Sequence, residues 1–394
     1  MRRDVNRIGG LLLWGYAASI AAFYGIVWWR TRADSQRAEL PLAERSPSGG
    51  AAQWPHVSVI VPARDEARNI RRSVESLLAQ DYPNFDVLVV DDASSDRTPE
   101  ILREIAAIHP HGIRLRTLRV EHLPAGWAGK PHALHTGAAQ AEGEWLLFSD
   151  ADTYHAPDAL RCAIATALRQ GDDLLSLASR QELPDFWGRV LMPLAYMGIA
   201  MQYPAAEVNA PDSPIAIANG QYLLIRKAMY DRLGGFATPA MRATVVDDRD
   251  LAREVKRAGG RLQMVDGRGL VSTRMYRGLR EHWRGWGKNV YAGSRGGPLF
   301  YLLMVTGLPI VTVVPLALLL VGLLTRRRQV TAAGGLASGA ELAYRVWLDR
   351  DMGVPRPYAL SQPLAGVIFT GILVRGLWRK LTGRGVEWKG REYR

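Results

Sequence analysis

Asp150 and Asp152, with only Ala151 between them, close a short apolar run from Trp145 to Phe148. Such a pair of carboxylates can hold a hard divalent cation through oxygen and leave coordination positions open for phosphate oxygens. The same triplet also suits a solvated turn, with Pro157 in the first turn of a helix starting near 156, and short motifs recur by chance. Two further acidic turns bear on the choice. Asp91 and Asp92 end the run Phe85 to Val90, and Asp65 with Glu66 follows the run Val57 to Pro62. Clustered carboxylates repel one another unless a cation or proton compensates. Three of them at strand ends therefore point to a metal and nucleotide site.

The elements that must position these groups alternate between short β-rich runs and amphipathic segments of helical length, the pattern of an α/β sheet. Strands are expected at 57–62, 85–90, 113–119, 144–149 and 173–178, with helices near 130–141 and 156–169. Ile70, Val74, Leu77 and Leu78 mark one helical face, and Thr98-Pro99 starts another helix. In such sheets ligands bind outside the carboxyl ends of the strands, where the acidic turns fall. A further acidic group, Asp247, Asp248 and Asp250, opens a helix that stops near Gly259 and Gly260. Acidic residues in a first turn favour the helix dipole, and a carboxylate there can equally serve as a proton acceptor.

The 394 residues suffice for one large domain with appendages. A mean hydropathy of −0.08 conceals strong segregation into a few long apolar runs. Net charge is +12, and the arginine clusters lie beside those runs, which suits anionic lipid headgroups. No basic face interleaved with aromatics speaks for nucleic acid. One cysteine, Cys162, excludes an intrachain disulfide and a cysteine-based zinc cluster.

Gly9 to Trp29 is 21 residues without a charge, flanked by arginines and ending in Trp28 and Trp29, and reads as an uncleaved membrane anchor. Leu299 to Thr325 is a second uncharged run, of 27 residues, interrupted by Gly307, Pro309 and Pro315 and closed by Arg326, Arg327 and Arg328. Tyr358 to Trp378 is a third candidate span. Residues 329–349 carry Glu341 and Arg345 and either span or lie on the surface. A single crossing by 299–325 from a cytosolic domain would put the three arginines outside, against the positive-inside tendency; a kink or re-entrant path at the prolines would remove that conflict.

VSVIVPARDE (57–66), VLVVDDASSD (87–96), WAGKPHAL (127–134), EWLLFSDADT (144–153) and VVDDRDLAREVKRAGG (245–260) occur in an order that resembles family 2 glycosyltransferases. Within that family the chain is similar to membrane-bound bacterial enzymes related to ceramide glucosyltransferases and to glycosyltransferases of carotenoid and hopanoid pathways. The resemblance covers about residues 55–293. It implies the GT-A nucleotide-diphospho-sugar transferase fold, an α/β fold with a mixed central sheet flanked by helices, here with N- and C-terminal transmembrane helices. It further implies that Pro62, Ala63, Asp65 and Glu66 border the nucleoside, with Asp91 on the base and Asp92 adjacent. Family enzymes commonly carry Asn at the position of Asp65. Lys130 would lie near the donor phosphates, and Asp150 and Asp152 would hold Mn2+ or Mg2+ against the diphosphate. Asp248 would be the catalytic base, with Asp247 in place of the usual Glu; Gly220 and Gln221 would lie beneath the acceptor. The segment HWRGWGKN (282–289) stands where processive synthases have Gln-x-x-Arg-Trp; Arg284 is displaced by one position, and Trp286 is left either as an acceptor- or donor-side platform or, with Trp283, as a membrane-interface anchor. Processive polymer synthesis is therefore not expected.

The expected organisation is an anchor at 1–32, a linker at 33–55, the GT-A domain at 56–293, C-terminal membrane helices at 294–380 and a basic tail at 381–394. The expected activity is metal-dependent, inverting transfer of a sugar from a UDP-linked donor to a membrane lipid hydroxyl. The enzyme would be a multi-pass protein of the cytoplasmic membrane with its catalytic domain facing the cytosol. A polyprenyl-phosphate acceptor is a rival within enzymes. A non-catalytic, membrane-anchored nucleotide-binding or partner protein is a rival from another class.

Overall fold

The computed structural model describes residues 2–37, 54–293, 298–383, 385–388 and 391–393. Most of the expected linker, together with residues 294–297 and parts of the basic tail, lies outside the described residues. The chain divides into two compact units. The larger comprises Asp34–Glu182 and Tyr203–Met275; the smaller comprises Met1–Ala33, Leu183–Gln202 and Tyr276–Arg394.

The larger unit is built on a seven-stranded mixed sheet. Its strands are β1 (Val57–Ala63), β2 (Phe85–Asp92), β3 (Leu115–Val120), β4 (Trp145–Phe148), β6 (Leu174–Ala178), β8 (Leu223–Arg226) and β9 (Leu262–Asp266), in the order β3-β2-β1-β4-β8-β6-β9. Valine, isoleucine and leucine dominate these runs, as burial on both faces demands. β1 pairs in parallel with β2 and β4, and only β8 runs antiparallel to its neighbours β4 and β6. Strand order reverses about β1, so the β1/β4 boundary is a switch point with a crevice at the carboxyl ends. A small sheet of β5 (Thr153–His155), β10 (Val271–Thr273) and β7 (Arg180–Gln181) lies beside the turn that holds Asp150 and Asp152.

Helices α2 (Ile70–Leu78), α3 (Thr98–Ile108) and α5 (Ala159–Gln170) bring Val74, Leu77, Leu102 and Ile164 into the core on one face of the sheet. On the other face, α4 (Gly129–Ala139) and α10 (Asp247–Arg257) contribute Leu134, Ala138, Leu251 and Val255 to a second core. The short helices α7 (Ala205–Asn209), α8 (Lys227–Arg232) and α9 (Pro239–Arg242) complete this unit. The helix expected from 156 starts instead at Ala159, because β5 occupies 153–155 first. α10 has three aspartates in its first turn and Lys256 and Arg257 in its last, matched to the macrodipole. It ends ahead of Gly259, whose φ of +73° is a left-handed value that glycine takes without steric penalty.

The smaller unit is helical: α1 (Arg2–Arg37), α6 (Phe186–Gln202), α11 (Gly278–Gly293), α12 (Pro298–Thr312), α13 (Val314–Thr325), α14 (Arg328–Asp351) and α15 (Gln362–Thr382), with a terminal hairpin of β11 (Val386–Trp388) and β12 (Arg391–Tyr393). Ile8–Arg32 and Arg356–Arg379 are long and apolar enough to cross a membrane. The expected span 299–325 is a bent pair, with 42° between α12 and α13. Proline explains the break. Pro315 has no N–H to give the carbonyl of Val311, four residues earlier, and the Tyr24 hydroxyl donates to that carbonyl at 2.8 Å instead. Helix α14 turns Glu341, Arg345 and Asp349 inward, all buried. Its low apolarity therefore reflects charges that face protein.

Candidate functional site

Each strand-end carboxylate is set by its own local scaffold. After β4, the Ser149 hydroxyl donates to the Gln221 carbonyl at 3.0 Å and lies 3.1 Å from His155 Nε2, so the turn starts from a pinned residue. Burial keeps His155 neutral, with its pKa pushed down to about 3. Asp150 follows and places Oδ1 2.8 Å from Lys130 Nζ. Asp152 is held by β10: Thr273 Oγ1 is 3.3 Å from its Oδ1, and the Arg274 N–H donates to its carbonyl.

The ends of β1 and β2 are joined. Asp65 has φ +51°, its N–H donates to Ser94 Oγ at 2.9 Å, and its carboxylate accepts the Ser95 N–H at 2.8 Å. The Glu66 N–H donates to Thr98 Oγ1. Pro62 and Ala63 are the last residues of β1. Asp91 is 1% exposed; it accepts the Ser94 N–H at 3.0 Å and Arg119 at 2.6 Å. Arg119, which sequence reasoning missed, is therefore the more exposed member of that pair. Arg64 donates to the Asp92 carbonyl at 2.8 Å.

The first turn of α10 reaches the same place as Asp150. Lys130, in the first turn of α4, stands 3.2 Å from Asp247 as well as 2.8 Å from Asp150. Asp248 accepts the Gly220 N–H at 3.0 Å and the Arg249 N–H at 2.7 Å. A Cβ on Gly220 would lie 3.1 Å from Lys130 Nζ and 3.3 Å from Asp248 Oδ2, so no larger residue fits without displacement. Lys130, Asp150, Gly220 and Asp247 rim a hollow floored by Leu134, Phe148, Leu223 and Phe236. Asp250 is turned away toward Thr244 and Arg249. Gln221 is buried and its amide oxygen faces Ser179 and Asn219, so it supports the loop. Arg284 and Trp286 lie on α11 in the smaller unit, Arg284 exposed and Trp286 buried edge-on against Phe369.

The electrostatics are uneven. Burial works against the Lys130 ammonium, but Asp150, Asp247 and Asp248 outweigh it and hold its pKa well above the usual lysine value. Burial, and then Asp247, push Asp248 up to about 6 against the pull of Lys130 and two N–H donors. One ammonium thus faces three carboxylates, and one of these is raised above the usual carboxylate range toward that of a general base. Among the described residues no group of three or more Asp, Glu, His or Cys side chains converges as a self-contained metal centre. A magnesium-like ion does not require one, since it is held by one or two carboxylates together with phosphate oxygens and water. Asp150 and Asp152 supply hard oxygen donors of that kind, and Asp150 is partly exposed at the rim.

Residues 58–234 match the model of glycosyl transferase family 2. The chain is 26% identical over 246 residues to a 4,4'-diaponeurosporenoate glycosyltransferase of Staphylococcus haemolyticus, covering 60% of this chain and 62% of that protein. It is 26% identical over 353 residues to the protein of the same name from Staphylococcus aureus, covering 86% and 88%. Among solved structures it resembles a mannosyltransferase from Pyrobaculum calidifontis in complex with GDP-Man and Mn2+. That match has a TM-score of 0.57 and 21% identity, over 93% of this chain and 99% of the other.

Proposed function

We propose that this chain, a glycosyltransferase with a family 2 domain of GT-A fold, moves a sugar from a nucleoside-diphosphate donor, UDP-linked, to the hydroxyl of a membrane lipid with inversion at the anomeric carbon. One observation carries the reading: Lys130 touches both Asp150, on the donor side, and Asp247, beside the base candidate Asp248, at one hollow. In the proposed step Asp248 accepts the acceptor's hydroxyl proton and the freed oxygen bonds to the anomeric carbon. The bond from that carbon to the diphosphate oxygen breaks, and the nucleoside diphosphate leaves with the electron pair. Lys130 counters the charge that develops on the departing diphosphate. Asp150 and Asp152 are the residues that would hold Mn2+ or Mg2+, which when bound makes the diphosphate a better leaving group. The fold neighbour's complex with a nucleotide sugar and Mn2+ accords with this chemistry.

The donor's nucleoside would rest between the β1 and β2 ends, bordered by Pro62, Ala63, Asp65, Glu66, Asp91 and Asp92, with Arg119 a further exposed polar group there. Gly220 borders the acceptor. The two candidate spans and the bent pair support a multi-pass protein of the cytoplasmic membrane; nucleotide sugars are made in the cytosol, so the catalytic unit belongs on that face.

The names of the relatives favour a second acceptor class. They denote the anion of an acid, and a carboxylate acceptor is already ionised and needs no strong base. The test is to incubate the enzyme in native-lipid membranes with a panel of nucleotide sugars and to identify new glycolipids by mass spectrometry. Asp150→Ala is expected to form none. Equal product from that variant would remove Asp150 from the mechanism, and an ester-linked product would replace the hydroxyl with a carboxylate.

A further inference from the structure

Lys256 lies in the last turn of α10 and makes an unusual set of contacts for a lysine near a helix end. Its ammonium donates to the carbonyls of Ala210 and Ile215 at 2.8 Å each, Glu207 at 3.1 Å and Ser213 at 3.2 Å. An ammonium has three protons and no acceptor. Four converging carbonyls saturate it and share at least one proton. A lysine on a solvated face has no reason to collect carbonyls from residues 207 to 215; here the chain is wrapped around the ammonium.

The wrapped segment runs directly into the site. Near its start it is pinned by Asn209, whose side-chain amide exchanges two hydrogen bonds with the Met264 backbone on β9. It passes Lys256 and continues through Ala216 and Ala218, both buried. It ends where Gly220 gives its N–H to Asp248. Asp248 and Lys256 are eight positions apart on one helix, about 12 Å at about 1.5 Å per residue. Helix α10 therefore grips the segment at two points, by its ammonium in the middle and by the Asp248 carboxylate at the end. Gly220 leaves almost no room for a shift, since Lys130 and Asp248 are both nearly in contact with it.

We propose that Lys256 is a positioning residue for the transfer reaction: it fixes the 207–220 segment on α10 and thereby sets the orientation of the Asp248 carboxylate through the Gly220 N–H. This rests on Asp248 being the base. The donor-side groups Asp91, Asp150 and Asp152 lie outside the segment, so the loss of Lys256 is expected to fall mainly on the acceptor step.

The experiment measures turnover and donor KM of the full-length enzyme in native-lipid membranes for Lys256→Ala, with Asp248→Asn in parallel. Displacement of a reacting group by about 1 Å can lower a rate about 100-fold, so Lys256→Ala is expected to lose about 10- to 100-fold in kcat with donor KM within about twofold. Ethylammonium, which can refill the socket with N–H donors, is expected to restore part of the rate. Tetramethylammonium at equal ionic strength, with the same charge and no N–H, is expected to restore none. Unchanged kcat, a parallel change in donor KM, or equal rescue by the two cations would each overturn the proposal. If Lys256→Ala is not recovered folded, Lys256→Arg decides: a lower kcat with donor KM held supports the assignment, and any other combination overturns it. Full activity in Asp248→Asn would remove the base itself. Inactive Asp248→Asn beside unaffected Lys256 variants would overturn only the role of Lys256.

Discussion

Lys130, in the larger unit, keeps 35% of its side chain exposed while standing 2.8 Å from Asp150 and 3.2 Å from Asp247. Arg345, in the smaller unit, is 1% exposed and closed in by Asp349 at 2.7 Å, Gln362 at 2.5 Å and the carbonyls of Arg189 and Val190. Both are cations held by carboxylates. Around Arg345 the planar fork of donors is matched to acceptors on three helices, and no part of it faces a hollow. Around Lys130 the carboxylates outnumber the cation, and Asp150 and Asp247 line a small hollow beside it. A charge centre that is filled secures helices to one another, and one left short of positive charge is equipped to act on something else.

The largest effect that would sharpen this contrast is on turnover. Asp248→Asn removes the proposed general base and is expected to lower kcat about 10²- to 10⁴-fold, with the thermal midpoint unchanged or raised because a buried negative charge is gone. Asp349→Ala should do the reverse. Breaking a buried pair strands the guanidinium and costs about 3–5 kcal/mol of stability, read from denaturant or thermal unfolding, while donor KM of the folded fraction is kept. If the first variant unfolded the protein and the second merely slowed it, the contrast would be broken.

Smaller effects concern the Lys130 centre alone. Gly220→Ala brings a methyl against Lys130 and Asp248 and is expected to lower kcat about tenfold, by the sensitivity of rates to sub-ångström misplacement; wild-type rates would mean that the segment has slack. The pH profile should be the mildest probe. The Asp248 pKa is raised to about 6, and the proposed base must be ionised to accept a proton, so activity is expected to be full above that value and to decline as pH falls through it. From pH 7 to pH 5 the rate should fall about tenfold, in line with the ionised fraction of a single base, and the acidic limb should vanish in Asp248→Asn.

The sheet was legible because β1, β2, β4 and β6 are apolar runs of strand length, three of them ended by carboxylates. Their placement at one edge follows from parallel pairing and could be anticipated. The insertion of β8 antiparallel between β4 and β6 could not, since a strand of four residues carries no direction. β5, β7 and β10 have two or three residues each, too few for any periodicity, yet they hold Asp152. Asp150, Asp247 and Asp248 stood out by their spacing, but the partnership of Lys130 with Asp247 spans over a hundred residues and has no local signal. Lys256 was silent for a different reason: its partners are carbonyl oxygens, which every residue possesses. The stretch 329–349 reads as polar in composition although Glu341, Arg345 and Asp349 are buried, because composition does not say which way a side chain faces.

Asp65 and Ala93 share a φ of +51°, a region costly for residues with a Cβ and tolerated best by glycine, asparagine and aspartate. They sit in the two strand-end loops that Ser94 and Ser95 lace together, so the shape of one loop is a condition for the shape of the other. The alphabet open to mutation at these positions is therefore short. Asparagine could replace Asp65 with the lacing kept, glycine there would keep the turn but lose the acceptor of the Ser95 N–H, and glycine at 93 would relieve strain. A valine or isoleucine at either would force a β-branched side chain into left-handed backbone and pull both loops from the donor edge together. The sequence there is constrained less by the charge it displays than by the turn it must complete.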